Sequence, residues 1–444
     1  MEPSRCAIRA NLPGGLVPHA NCLGGVAAWI LIMAAVALPA ADPGVAHAWI
    51  HSDSDAAPAN PNAAHTWYTP HRSARKTTSD APEIEAKDWN PLAKPAGIAK
   101  TFLSDHRVTT DLYVMFFDQY ASNVREGQQN YGSFAWRSFG EVALVKESPV
   151  GESYLEWNLT GTVGLDYDQE LESLSFNAGI LSLANANVYP DSAAMDELYW
   201  QQVLPGGAVA LLAGRINQSF HFDANRVANG SEQQLLSFSL MNNLSIPWPL
   251  YGGLGGVVQW EASEKVSVMF GIGDSSSDEP WGFWKTLDNN SWFELLELDF
   301  KVEVPALGKG QYRITPWHNR LYGEQGWGIG GSFDQELGLP WLVGFFRFGA
   351  GDEDVTPVSG FVSGGVGVEG PFGRSGDLFA LGVAWSRPSP GFGVRDETLL
   401  EMIYRVRLTP SLELSPALQF VFDPAQNPGD DLIVVPGVRL ALVF

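Results

Sequence analysis

Residues Asp396–Gly429 read DETLLEMIYRVRLTPSLELSPALQFVFDPAQNPG, and apolar side chains fall on every second position. Thr398, Leu400, Met402, Tyr404, Val406 and Leu408 share one face of an extended strand; Glu397, Leu399, Glu401, Ile403, Arg405 and Arg407 share the other. After Thr409–Pro410 the pattern resumes, with Leu412, Leu414, Leu418, Phe420 and Phe422 against Glu413, Ser415, Gln419 and Asp423. Side chains of a strand alternate between its faces, so this stretch is two strands, each with one greasy and one polar face.

The same period runs through the chain from about residue 109. In EWNLTGTVGLDY, Trp157, Leu159, Val163 and Leu165 oppose Glu156, Asn158, Thr160 and Thr162. In WFELLELDFKVEV, Leu296, Leu298, Phe300 and Val302 oppose Glu297, Asp299, Lys301 and Glu303. QLLSFSLMNNLSI (234–246) reads the same way, with Leu236, Phe238, Leu240, Leu244 and Ile246 against Ser237, Ser239, Asn243 and Ser245. LESLSFNAGILSLANANVYPDSAAMD (171–196) is less regular and reads as a strand with an inward loop, or as a short helix. Tight links such as EASEK (261–265) and LTPS (408–411) alternate with long polar ones such as GDSSSDEPWGFWKTLDNNS (273–291). No repeat of 20–50 residues marks a propeller.

Two architectures use such strands. A soluble sandwich hides the apolar faces, whereas a membrane barrel turns them to lipid and lines a lumen with the polar ones. The runs reach about 10 residues, enough to cross a bilayer at a tilt, where soluble strands cluster near 5–6. Aromatics (Tyr154, Trp157, Trp292, Trp385, Tyr404, Phe420, Phe422) sit near strand ends, as an interfacial girdle requires. Backbone in hydrocarbon must be fully paired, so the sheet closes. The expectation is an all-β, transmembrane antiparallel β-barrel of about 16 strands, with short turns on one side and long loops on the other. At that strand number the lumen is an aqueous pore.

The chain begins with a leader. Arg5 and Arg9 precede the apolar GGVAAWILIMAAVALPAA, and AHA (Ala46–Ala48) is a small-x-small cleavage site. Residues 1–48 therefore read as a signal peptide, 49–104 as a disordered or loosely docked segment rich in Ala, Pro, Ser and Asp, and 105–444 as the barrel. Export places the barrel in the outer membrane of a Gram-negative bacterium. Both cysteines, Cys6 and Cys22, lie in the leader, which removes disulfides and thiolate chemistry from the remainder.

Charged residues are 17% of the chain against the usual ~25%, and mean hydropathy is −0.05. A net charge of −23 excludes nucleic acid as a partner, because phosphate demands a basic surface. His51, His65, His71 and His106 match no metal-ligand spacing, and no cofactor or metal is expected. His221 and His318 sit in no nucleophile motif, and GDSSSD (273–278) reads as a loop, so the chain is not read as an enzyme.

Strand phase nominates the lumen-facing solute path: Arg215, Glu297, Asp299, Lys301, Arg313, Trp317, Arg347, Glu397, Glu401, Arg405, Arg407 and Arg439. Mixed signs suit neutral polar solutes. Arginine forks and carboxylates hydrogen-bond to hydroxyls, and Trp317, two residues from Thr315 and four from Arg313, shares their face and offers a ring for stacking.

ETLLEMIYRVRLTPSLELSPALQFVFDPAQNP followed by VVPGVRLALVF resembles the end of the OprB-type carbohydrate-selective porins. The matching residues are Glu401, Tyr404, Arg405, Thr409, Pro410, Pro416, Gln419, Pro424, Gly437, Arg439 and Phe444. DELYWQQVLPGGAVALLAGRINQSFHFD is similar to that family's upstream segment in which a strand is followed by a Gly-Gln/Arg strand end; the family's early Gly-Asp-Trp-Gly-Gly segment is not evident here. The resemblance implies a 16-stranded barrel that passes mono- and oligosaccharides by diffusion, with a loop or helix narrowing the pore. It implies sugars, outer-membrane lipids and the assembly machinery, which would read the terminal Phe444, as partners. The alternative is a general or cation-preferring diffusion porin, and monomer and trimer are both open at this point.

Overall fold

Alternation of β-branched, aromatic and leucine side chains with small or polar ones favours a strand with two unlike faces. In the structure, a computed structural model, these runs pair in sequence order into one closed sheet. It describes residues 93–165, 173–185, 192–277, 279–282, 291–321 and 323–444. All of these belong to the compact unit Pro61–Phe444. The leader 1–48 and the segment from 49 to 92 lie outside the described residues.

The first element is a helix, α1 (Ala93–Asp105), inside the stretch read as loosely docked; Lys100 Nζ reaches Asp111 of the first strand at 3.6 Å. Then come β1 (Val108–Tyr120), β2 (Asn130–Ser148) and β3 (Gly151–Leu165), a short helix α2 (Leu174–Ala178), β4 (Ser192–Val203) and β5 (Val209–Ile216). A second short helix, α3 (Phe238–Met241), precedes β6 (Gly253–Ser263), β7 (Val266–Asp274), β8 (Trp292–Val304) and β9 (Gly308–Leu321). The sheet continues with β10 (Glu324–Glu336), β11 (Leu342–Gly351), β12 (Val358–Glu369) and β13 (Leu378–Pro388). It ends with β14 (Glu397–Thr409), β15 (Leu412–Phe422) and β16 (Leu432–Val443).

Every neighbour is antiparallel, and β16 pairs with β1, so all sixteen strands lie in one closed barrel. Phe444 takes part in the closure: its N–H donates to Leu112 O at 3.0 Å, and Leu112 N–H donates back to Phe444 O at 3.3 Å. The long connections, above all 217–252, emerge at one end, and links such as 149–150, 264–265 and 410–411 turn at the other.

Register fixes the faces. Leu400 lies between Val383 and Phe420 on the outer surface, while Glu401 lies between Gly382 and Gln419 on the inner one. The outer surface exposes Phe270, Leu296, Phe346, Val362, Val383 and Leu440. Among the described residues no helix is long and apolar enough to cross a membrane. Tyr154, read as part of the aromatic girdle, instead pairs with Ala143 and Gln201 on the inner face and hydrogen-bonds to Glu152.

QLLSFSLMNNLSI is not a strand. It belongs to the connection between β5 and β6, contains α3, and packs inside the barrel. Its alternation arises because the segment lies against apolar wall residues on one side and polar partners on the other, which imitates the two faces of a sheet.

Candidate functional site

Two connections fold back into the lumen: 173–185, built around α2, and 217–248, built around α3. α2 starts at the Ser173 cap, whose side chain accepts from Phe176 N–H, and stops at Gly179 in the left-handed conformation (φ 72°). A Cβ at Gly179 would collide with Gln426 and Asn427, so glycine serves both the turn and the close approach.

Apolar packing seats the loops. Leu174, Ile180, Leu235, Leu236, Leu240 and Leu244 are buried against Tyr113, Met115, Phe117, Phe345, Leu399, Ile403 and Val421 of the wall. Each such side chain removed from lumen water contributes about 1.5–3 kcal/mol. A second cluster joins Phe222 and Ile246 to Tyr199, Leu212, Val257, Phe293, Leu295 and Trp317.

Irregular backbone in a confined space must have its amides and carbonyls paired. Wall charges do this. Glu397 accepts from Leu181 N–H (2.9 Å) and Ser182 N–H (2.7 Å), and Glu401 accepts from Leu236 N–H (2.6 Å) and Ser237 N–H (2.9 Å). Glu297 accepts from Asp223 N–H at 2.8 Å and from the Thr315 hydroxyl at 2.9 Å. Arg313 donates to Ala224 O (2.8 Å) and Asp334 (3.1 Å). Arg347 donates to Leu240 O (2.8 Å) and Asp223 O (2.9 Å), and its Nε lies 3.1 Å from the Asp223 carboxylate. Arg439 donates to Ser231 O, Gln234 O and Ser415 Oγ; Arg405 donates to Gln233 O at 2.9 Å. Burial pushes the Asp223 carboxyl up from its ordinary range, and the Arg347 guanidinium opposes that rise.

Seven residues nominated from strand phase therefore hold the inner loops: Glu297, Arg313, Arg347, Glu397, Glu401, Arg405 and Arg439. Four of the arginines of the chain (Arg215, Arg313, Arg347, Arg439) are among its largest fully buried side chains.

The other five nominated residues do different things. Asp299 lies 3.5 Å from Arg313 and accepts from Gln311 at 2.7 Å. Lys301 pairs with Glu261 at 2.9 Å near the short-turn end, and Arg407 braces the turn at Asp377 and Pro410. Trp317 is 2% exposed, packed on Phe293, and so offers no free ring beside Arg313. Arg215 is paired opposite Leu198 and Leu254, on the phase opposite to inward Leu212, and is buried because the carbonyls of Met195, Glu279 and Gly282 close around it.

The side chains that meet where the 217–248 loop faces the β2 wall were not nominated from the sequence. The Arg137 guanidinium lies 5.2 Å from the centre of the Phe220 ring and pairs with Glu232. Arg226 spans to Glu336 (3.2 Å) and Glu369 (2.7 Å) on the wall beyond. Below Arg137, Glu141 and Glu156 lie directly opposite each other on the inner face of β2 and β3, both part-exposed, and Tyr199 donates to Glu156 at 2.9 Å. Continuing the alternation through SFAWRSFGE gives Arg137 and Glu141 an inward phase. Nothing local marks Phe220, Arg226 or Glu232, because their loop reads as exposed connection and strand.

Comparison with known proteins gives the same frame. Residues 308–444 match the family described as carbohydrate-selective porin, OprB family. Porin AaxA of Chlamydia abortus is 23% identical over 256 residues, and that of Chlamydia felis is 23% identical over 257. These matches take in 55% of this chain and 56% of each relative, so the chain spans little more than half the length of the curated relatives it matches. The high-pH structure of Pseudomonas putida OprB superposes with a TM-score of 0.64 at 15% identity, over 79% of this chain and 97% of that one. Its low-pH structure gives 0.53 at 15% identity, over 80% and 98%. The fold is that of the Pseudomonas putida OprB structures, a closed antiparallel barrel. Every residue that carried the resemblance in the final strands lies inside the matched segment: this chain is a closed sixteen-strand barrel whose C-terminal third matches the carbohydrate-selective porin family OprB.

Proposed function

We propose that the barrel passes mono- and oligosaccharides by passive diffusion along the β2–β3 wall, past Arg137, Glu232 and Phe220. The observation that carries this reading is the Arg137–Phe220–Glu232 contact: opposed charges with hydrogen-bonding capacity beside an aromatic ring. Arg137 and Phe220, both part-exposed, meet a sugar on its hydroxyl edge and its apolar face, while buried Glu232 balances the arginine's charge so that an ion of neither sign is favoured. The family match over residues 308–444 supports the same solute class. Asp299, Lys301 and the part-exposed edge of Arg405 belong to the wetted wall in this reading, and the buried clamps do not touch the solute. The leader 1–48 delivers the chain to the outer membrane.

Liposome swelling with the refolded chain tests it. Glucose is expected to enter faster than an amino acid of similar size, and a trisaccharide more slowly than glucose. Equal rates for sugar and amino acid would refute sugar preference.

One observation favours a second reading, cation-preferring diffusion. Glu141 and Glu156 face each other on the inner wall, and the chain carries a net −23. A large cation-directed reversal potential in a salt gradient, with no sugar discrimination, would select it.

A further inference from the structure

We infer that the two inner loops, 173–185 and 217–248, form one gating body, so that releasing either one from the wall releases both. The inference deepens the pore reading above and rests on it for its functional consequence.

The two loops are held by separate carboxylates on one strand: Glu397 takes two successive amides of the first loop, and Glu401 takes two of the second. They are also bonded to each other. Ser182, whose N–H is held by Glu397, offers its carbonyl to Ser237 Oγ at 3.1 Å and to Ser239 N–H at 3.2 Å. Phe238 N–H donates to the neighbouring Leu183 O at 3.0 Å. Ser237 N–H is itself held by Glu401, so a continuous run of hydrogen bonds joins the two carboxylates through both loops. Gln419 on β15 closes the run from the wall, donating to Ala184 O at 2.7 Å and to Glu401 at 3.1 Å.

These atoms are buried, and buried amides or carbonyls without partners are expensive. If the first loop leaves Glu397, Phe238 and Ser239 lose their acceptors, and the second loop is unsatisfied although its own carboxylate is intact. The shared apolar cluster, with Ile180 from one loop and Leu240 from the other, imposes the same coupling. Intermediate openings therefore cost nearly as much as complete ones, and the lumen has two states rather than a graded series.

Hydrogen exchange on the refolded full chain in detergent, read by mass spectrometry, tests this with Glu397→Gln and Glu401→Gln. The expected result is crossed: E397Q speeds exchange at 236–239, and E401Q speeds exchange at 181–184, each as much as in its own loop. Single-channel recording is expected to show the same raised conductance level in E397Q, E401Q and the double variant. Faster exchange confined to the loop whose carboxylate was changed, or single-variant increments that add in the double variant, would overturn the coupling. If either glutamate variant fails to give a heat-modifiable barrel on gels, Gln419→Ala replaces it, with the same expectation in both loops and the same refutation. A wild-type chain that does not conduct would refute the pore reading, while the exchange result would still decide the coupling.

Discussion

Arg347→Met removes one clamp and leaves its neighbours in place. Arg347 is fully buried and makes three contacts with the inner loop: Leu240 O at 2.8 Å, Asp223 O at 2.9 Å and the Asp223 carboxylate at 3.1 Å. Methionine fills most of the volume, so the loss is electrostatic rather than a cavity. Breaking a buried pair by deleting one partner costs about 3–5 kcal/mol. The barrel's own ladders are untouched, so the cost falls on the loop, whose open population rises between about a hundredfold and a few thousandfold. Hydrogen exchange across 222–244 should speed up by that factor while the strands keep their protection. Asp223→Asn in the same chain should recover part of the loss, because the orphaned charge is gone. The effect has a pH sign. Burial raises the Asp223 carboxyl and Arg347 opposes the rise; Glu297 and Arg313 also face the residue. A carboxyl held above its unfolded value contributes stability at low pH that is lost as pH rises through the raised value. Without Arg347 the loop should therefore be looser at pH 8 than at pH 5. Exchange across 222–244 within threefold of wild type at both pH values would refute the assignment of Arg347 as a clamp.

Arg137→Ala removes a stack on Phe220 worth about 0.5–2 kcal/mol and leaves Glu232 without that partner; swelling assays should show a higher trisaccharide-to-glucose ratio, and the reversal potential should shift toward cations. At Gly349 an added Cβ would overlap Ser245 Oγ and crowd Asn243, so Gly349→Val should expel the 243–245 segment from the wall; limited proteolysis should then nick the loop in a barrel that still migrates as folded. Val383 faces outward in the middle of β13, and Val383→Arg should destabilise the barrel by about 2–4 kcal/mol in vesicles, measured by denaturant unfolding.

Strand phase was legible because a pleat has period two: once Leu400 is outside, Glu401 is inside. The tertiary use of the inner face was only half legible. Leu399 and Ile403 alternate with Glu397, Glu401 and Arg405 on a face that reads as a channel lining, and a wetted wall has no use for them. Their presence is the signal of a covered wall, since they pack against Leu240 and its neighbours. The covering loop was hidden by its own pattern. Leu236, Leu240 and Leu244 alternate with Ser237, Ser239 and Ser245 as a strand would, because both have unlike surroundings on two sides. Trp317 misled for a related reason: phase gives the side of the sheet, and the loop above decides whether that side is open.

The sign of each clamp follows the loop backbone in front of it. Where carbonyls face the wall, the wall supplies arginine: Arg313 to Ala224, Arg347 to Leu240, Arg439 to Gln234 and Arg405 to Gln233. Where amides face it, the wall supplies glutamate: Glu297 to Asp223, Glu397 to Ser182 and Glu401 to Leu236. These charges are fixed by backbone polarity, so inverting one leaves like dipoles in contact and disrupts the loop before it retunes any solute. In the pore reading proposed above, charge selectivity is expected to reside instead with side chains whose partners are other side chains, Arg137 with Glu232 and Arg226 with Glu336 and Glu369. Exchanging the members of such a pair keeps the loop tied to the wall in the same way while reversing the local field. A swap of Arg137 and Glu232 should therefore preserve loop protection and change ion preference, whereas a swap of Arg439 and Glu401 should lose both.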